Sequence, residues 1–522
     1  MHFLRNKTQK AFSIVLVLSL FFNFATKYGC MTTRNERYFT YPSSQKIYVT
    51  DANNRVKVGM RQIVLHDAAS SIQGKNSKPV TVYDTSGAYS DPDIEIGDSL
   101  PRVHEVWFEG RRDLRKDEVN VYSSKEGKVA TQLYYAKKRV VTPEMEYVAI
   151  RENQQIEMLG LRTYITPEFV RKEIASGHAV LPANLNHLEE EPMILGRRFR
   201  VKCAASAVNL DDVQNACKWG ADLLFGQYQT ALPSELTHMC PVPLCSSPLC
   251  DALQSLSLDF SQLSWEKVRD TMEQEARQGV DLFIIHAGLL QNLINRTAFR
   301  LTGIVSCGGR IMANWMQIYK KENFLFTHFD ELCELMRSYD VTLALSLSLR
   351  PGSVYDASDA SVQMEIKNVC ELAERAREQC VQVAIEAPGH LPMHKIHESM
   401  KEFHYSTSNV PAFTISPMCT DVAPGYESFS SAIGGALSGC YGSSLLSMDI
   451  PRIGEVRPQE KEIRSQIMSL RIAAHAADLA KAHPGAQVLD NAICKARSEG
   501  RIKDLAHLSF DPWQAARSIS VE

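Results

Sequence analysis

The 522-residue sequence lacks any C-x-x-C pair: its thirteen cysteines sit at irregular intervals, and the one even spacing is Cys240, Cys245 and Cys250. A disulfide framework is not expected in so long a chain, and reduced thiols are the default. An excess of basic charge is also missing, with 57 Lys and Arg against 60 Asp and Glu, which excludes a polybasic nucleic-acid wrapper. No G-x-G-x-x-G follows an apolar run, so a dinucleotide-binding sheet is disfavoured. Long apolar runs are absent after the first 30 residues. Before that, Ala11 to Ala25 is uncharged behind Arg5, Lys7 and Lys10, the length of a signal-peptide core and short for a membrane span. Tyr28-Gly29-Cys30 makes a poor cleavage sequence. The preferred reading is a cytoplasmic chain whose start is Met31, with export as the alternative. What is present is a hydrophobic fraction of 44%, enough for folded domains.

Three regions follow the first 30 residues. From 31 to 196 short β-rich pieces (Lys46 to Thr50, Pro79 to Tyr83) alternate with turns, and an α+β domain is expected. There, Met145 to Asn153 reads as a strand, and Thr166-Pro167 as the capped start of a helix. From 197 to 455 apolar runs of buried parallel-strand type alternate with amphipathic stretches. The runs are Phe199–Ala204, Ala221–Phe225, Leu282–His286, Gly303–Cys307, Leu343–Leu347, Val381–Glu386, Ala412–Ser416 and Gly442–Met448. About eight βα units in roughly 250 residues predict an α/β fold of (β/α)8-barrel type, with a doubly wound open sheet as the alternative. From 456 to 522 a helical extension is expected.

Polar residues stand where those strands end. His286 ends one run, Ser306 with Gly308 and Gly309 another, Arg350 a third, and Glu386 with His390 a fourth; Thr420 and Asp421 follow the next. In a parallel barrel such residues converge on the C-terminal mouth, where active sites lie. Glycines beside a hydroxyl suit a phosphate approached by backbone N–H groups, and an Arg supplies a bidentate anion clamp. Glu386 and His390 offer a proton acceptor and a metal ligand. His394 and His397 read instead as solvent-facing residues of a helix start. The Cys240, Cys245, Cys250 set, interleaved with Pro241, Pro243 and Pro248, reads as packing. A mouth shaped for a small phosphorylated substrate results.

Longer strings carry a resemblance. QGVDLFIIHAG (278–288), TGIVSCGGRIM (302–312), LRPGSVYDASD (349–359), IEAPGHLPMH (385–394), TDVAPGY (420–426) and the 471–497 segment resemble the phosphomethylpyrimidine synthase family, as do VYDTSGAYSDPD (82–93) and YVAIREN (147–153). The resemblance runs from about residue 45 to residue 515. It implies a radical S-adenosylmethionine lyase of thiamine biosynthesis that turns aminoimidazole ribonucleotide into hydroxymethylpyrimidine phosphate. It further implies a [4Fe–4S] cluster, a zinc ion and a homodimer. By resemblance His286, Ser306, Gly308, Leu349, Arg350 and Glu386 line the nucleotide site, and His390 is a metal ligand.

The sequence also departs from the family pattern. The family's cluster-binding C-x-x-C-x4-C run follows the segment resembled by LSFDPWQAAR (508–517), and the sequence given stops at Glu522. Cys307 stands for an Arg, Leu347 for an Asp, Phe413 and Cys250 for Tyr, and Gly454 for the second metal histidine. A leucine accepts no hydrogen bond, so a donor left facing Leu347 would cost about 1–3 kcal/mol. The expectation is a homologue that keeps a phosphate-binding barrel without turnover.

Overall fold

The computed structural model describes residues 38–51, 53–65, 79–154, 160, 163–226, 234–357, 359–448 and 460–519. The segment 1–30, Met31 and Gly454 lie outside them. Among the described residues no helix is long and apolar enough to cross a membrane.

The N-terminal region opens with an antiparallel sheet of β1 (Ser44–Thr50), β2 (Lys57–Ile63) and β3 (Val80–Tyr83). Two small antiparallel pairs follow, β4 (Leu114–Lys116) with β5 (Tyr122–Ser124) and β6 (Ala179–Val180) with β7 (Leu195–Gly196). The predicted strand at Met145 to Asn153 is instead the helix Pro143–Glu152. Its β-prone residues are overridden by a start signal: the Thr142 side chain accepts from Met145 N, and Pro143 opens the first turn. Thr166 caps Pro167–Ser176 as expected.

Eight parallel strands then close a barrel: β8 (Lys202–Ala207), β9 (Leu223–Gly226), β10 (Leu244–Ser246), β11 (Leu282–Ile285), β12 (Thr342–Leu345), β13 (Val383–Ala387), β14 (Ala412–Ile415) and β15 (Ser443–Ser447). β15 pairs back onto β8. Seven of the eight expected runs overlap these strands. The eighth, Gly303–Cys307, is a loop: Gly303 takes φ +62° and Ser306 caps the helix Cys307–Tyr319, its hydroxyl accepting from Gly309 N at 3.1 Å. The strand absent from the expectation is β10, three residues set among prolines that hide its apolar pattern.

The side-chain period of two sorts each strand between two cores. Ala204, Leu223, Cys245, Leu282, Ile284, Ala344, Ala384, Phe413 and Leu445 fill the barrel, and Val180, Met193 and Leu195 close its N-terminal end. Phe283, Ile285, Leu343, Leu345, Val383 and Ile385 face the helical shell. The shell includes Trp265–Arg277, Phe329–Tyr339, Ala360–Glu378, Met393–Ser406 and Glu427–Cys440. The helix Glu460–Ala480 covers β8 and β15 through Leu470, Ala473 and Ala477. Helices Ala486–Ser498 and Ile502–Leu508 pack against Ile63 and Val80 of the N-terminal sheet. The three evenly spaced cysteines fall in three different cores, Cys240 in the shell near β9, Cys245 inside the barrel and Cys250 beneath the mouth.

Candidate active site

Parity along the strands decides what the mouth receives. The inward set of β11 continues from Ile284 to His286, that of β12 from Ala344 to Ser346, and that of β13 from Ala384 to Glu386. β11, β12, β13 and β14 are neighbours in the barrel, so their polar ends are gathered side by side.

His286 is buried beneath the rim. Ser306 Oγ lies 3.4 Å from its ring nitrogens and Ser348 Oγ lies 3.3 Å from Nδ1, while Asn323 Nδ2 donates to its backbone oxygen at 2.9 Å. Among the described residues no carboxylate bonds to the ring. Burial, helped by the nearby Arg350 charge, pushes its pKa down to about 3, so the imidazole is neutral at physiological pH. Gly308 packs on it so closely that a Cβ would stand 2.2 Å from His286 Cδ2. A glycine is therefore demanded here by close approach. The contact brings the positive end of the Cys307–Tyr319 helix dipole to the mouth.

Arg350 Nη1 donates to Glu386 Oε1 at 3.2 Å. The other carboxylate oxygen accepts from Ser346 Oγ and from Leu347 N at 3.0 Å. Glu386 is fully buried, and burial raises its pKa against the pull of Arg350, Ser346 and Leu347. Arg350 keeps its side chain 11% exposed, at the opening rather than beneath it. His390 follows β13, with Nε2 2.7 Å from Asp421 Oδ1. The other Asp421 oxygen accepts from Val354 N at 2.9 Å, tying the loops after β12 and β14 together. Burial lowers the His390 pKa, with Asp421 opposing.

His286, Ser306, Gly308, Arg350, Glu386 and His390 thus belong to one opening. Leu349 differs: its side chain is buried in the shell core, and only its backbone serves the rim. Leu347 lies in the same layer, so it confronts no stranded donor at the mouth, contrary to expectation. Its own N–H is satisfied by Glu386.

Several supporting residues were not foreseen. Glu365 accepts from Ser348 N at 2.8 Å and from Leu349 N at 2.7 Å, fixing the turn that aims Arg350. Burial raises its pKa to about 7, against those two N–H groups. A sign was available, since Glu365 sits on the stripe Val362, Ile366, Val369 of a helix whose other acids are exposed or half-buried. Arg300 braces the same turn, donating to Leu349 O at 2.7 Å and pairing with Asp359. Cys250 and Cys307 meet with sulfurs 3.8 Å apart, so two positions where the family carries Tyr and Arg adjoin in space.

Among the described residues, no three His, Cys, Asp or Glu side chains gather as metal donors. His390 has one carboxylate neighbour, and the Cys250–Cys307 pair offers two sulfurs where a radical cluster needs three. Neither a zinc ion nor a [4Fe–4S] cluster fits a donor set among these residues.

Comparison with known proteins agrees with the strings. Residues 131–522 match the Radical SAM ThiC family, and residues 40–115 match the ThiC-associated domain. Solved structures that align include dihydropteroate synthases. The Yersinia pestis enzyme shares 11% identity over 52% of this chain and 91% of its own, with a TM-score of 0.31. The Xanthomonas albilineans enzyme in complex with 7,8-dihydropteroate shares 12% over 56% and 96%, with a TM-score of 0.30. The Coxiella burnetii enzyme in complex with pteroic acid shares 12% over 54% and 94%, with a TM-score of 0.29. With one model spanning most of its length and a second covering the sheet that precedes it, this chain belongs to the radical SAM ThiC family, the pyrimidine-forming branch of thiamine synthesis.

Proposed function

We propose that the barrel mouth binds aminoimidazole ribonucleotide, the substrate that family members convert to hydroxymethylpyrimidine phosphate with S-adenosylmethionine and an iron–sulfur cluster. The observation that carries this reading is the Arg350–Glu386 pair, held at 3.2 Å beside the helix start at Ser306. A guanidinium on the rim and a helix N-terminus together suit a phosphate. Neutral His286 and the buried Glu386 then face the uncharged and donor-bearing parts of the imidazole. The residues described here bind and orient the nucleotide. A second copy of the chain is the proposed partner. Tyr426, Phe429 and Ile433 recur at helical spacing and are exposed, which suits a homodimer.

A second reading, binding without turnover, is favoured by the Cys250–Cys307 contact. Two thiols replace a phenol and a guanidinium in one corner, removing a charge and a hydrogen-bond donor from the rim.

Calorimetric titration with the ribonucleotide and with its dephosphorylated riboside tests the binding. Saturable binding of the nucleotide, at least tenfold weaker for the riboside and for Arg350→Gln, is expected. Equal affinity for both compounds overturns the phosphate assignment. Anaerobic reconstitution with iron and sulfide, followed by S-adenosylmethionine and dithionite as the electron donor, separates the two readings, since 5′-deoxyadenosine forms only in a competent lyase.

A further inference from the structure

A second polar cavity lies at the opposite end of the barrel. It has a volume of about 100 Å³, several times the ~10–15 Å³ that admits one water. It opens where the N-terminal sheet, the loop into β9 and the helix Glu460–Ala480 meet. None of the mouth residues lines it.

Arg61, Arg200, Lys218 and Arg471 line it, with Arg200 3.9 Å from Asp478, and Arg61 and Arg471 reach in from different elements. Arg61 of β2 is 8% exposed, with its guanidinium carbon 4.2 Å from the Tyr41 ring centre. Its Nη1 is buried and has no hydrogen-bond partner among the described residues. Arg471 comes from the helix Glu460–Ala480, lies over the Phe510 ring at 4.3 Å, and spends Nη1 on Trp219 O at 3.0 Å. Its place is built into the backbone: a Cβ on Gly220 would stand 2.7 Å from Arg471 Nε. The two cations repel each other, which with burial lowers the Arg471 pKa.

The carboxylates along the same wall are already engaged. Asp84 takes Lys46 at 3.2 Å and the hydroxyls of Ser86 and Ser90. Asp222 pairs with Arg151 at 2.9 Å and accepts from Cys203 N at 3.0 Å. Asp478 accepts from Val201 N at 3.0 Å and pairs with Lys481 at 3.1 Å. A buried guanidinium with an unmade hydrogen bond is costly, and an anion supplies what the carboxylates here do not. Planar guanidinium forks match tetrahedral oxyanions in particular.

We propose that this cavity is an oxyanion site that takes a phosphate group, free or carried by a small organic phosphate, between Arg61 and Arg471. It is separate from the nucleotide site at the mouth and does not depend on it.

Calorimetry in an Arg350→Gln background tests it, because that change disables the phosphate site proposed for the mouth. The expected result is one remaining site for inorganic phosphate, weakened at least tenfold by adding Arg61→Gln. Loss of all phosphate binding in Arg350→Gln alone, or equal affinity after the second change, overturns the proposal. Hydrogen exchange on the Arg350→Gln protein gives a reading that leaves Arg61 untouched. Phosphate should slow exchange in peptides covering 57–63 and 467–475, and an unchanged pattern counts against the site. Glycerol 3-phosphate identifies the source: tighter binding than inorganic phosphate points to an ester, and weaker binding to the free anion.

Discussion

The two ends of the barrel each bury a histidine, and the two are driven in opposite directions. At the mouth, His286 has hydroxyls for neighbours and a pKa pushed down to about 3. At the base, His187 lies with Nδ1 2.7 Å from Asp281 Oδ2 and Nε2 2.9 Å from Cys240 O. Burial works against its charge, yet Asp281 outweighs burial and lifts the pKa to about 10. The same side chain is neutral in one place and a cation at neutral pH in the other. Partners, not depth, make the difference. The base network holds β10 and β11 to the segment around Asn184 and His187, whereas the mouth surrounds His286 with hydroxyls.

Breaking the base should have the largest effect on stability. Asp281 also accepts from Asn184 N at 3.0 Å and Leu244 N at 2.8 Å, so Asp281→Asn leaves a buried cation and a backbone donor in want of partners. A loss of about 3–5 kcal/mol is expected in urea unfolding. A loss under 1 kcal/mol would mean that His187 is not charged. Gly308→Ala comes next: the new methyl collides with the His286 ring, and about 1–3 kcal/mol should be lost, together with nucleotide affinity. Glu365→Gln should cost about 1–3 kcal/mol, because an amide accepts through one atom and presents its NH2 to the second N–H.

The smallest effect is on pH dependence. His286 has a folded pKa below its unfolded one, so the stability it contributes is present above about pH 6.5 and is lost as pH falls toward 3. Glu365 acts the other way. Its raised pKa makes its contribution full below about pH 4.5 and lost as pH rises through 7. His286→Gln should flatten the acid limb of a stability profile and Glu365→Gln the neutral limb. An unchanged profile in either variant would remove that residue from the account.

The barrel was legible because its buried strands are short apolar runs separated by helical stretches. Leu282, Phe283, Ile284 and Ile285 read as one such run, and the side-chain period of two carries His286 inward. Of the rim residues, His286 stands one position past β11 and Glu386 lies within β13, whereas Arg350 and His390 stand in the loops after β12 and β13 and Ser306 caps a helix. Leu244–Ser246 was hidden because prolines flank a three-residue ladder, and Gly303–Cys307 misled because a capped helix start after an apolar pair resembles a strand. Leu347 and Leu349 could be placed only once parity was known. Arg300 escaped because it grips a backbone atom, which leaves no mark in side-chain pattern, whereas Glu365 left one as an acid on an apolar helix stripe. The Cys250–Cys307 contact joins positions 57 apart, and only the closed ring brings them together.

A crystal structure of the chain with aminoimidazole ribonucleotide tests the central claim most directly. The account predicts the phosphate within hydrogen-bonding distance of Arg350 and the start of the helix Cys307–Tyr319, with the imidazole toward His286 and Glu386. A nucleotide lodged away from that rim, or with its phosphate pointing out to solvent, would contradict it.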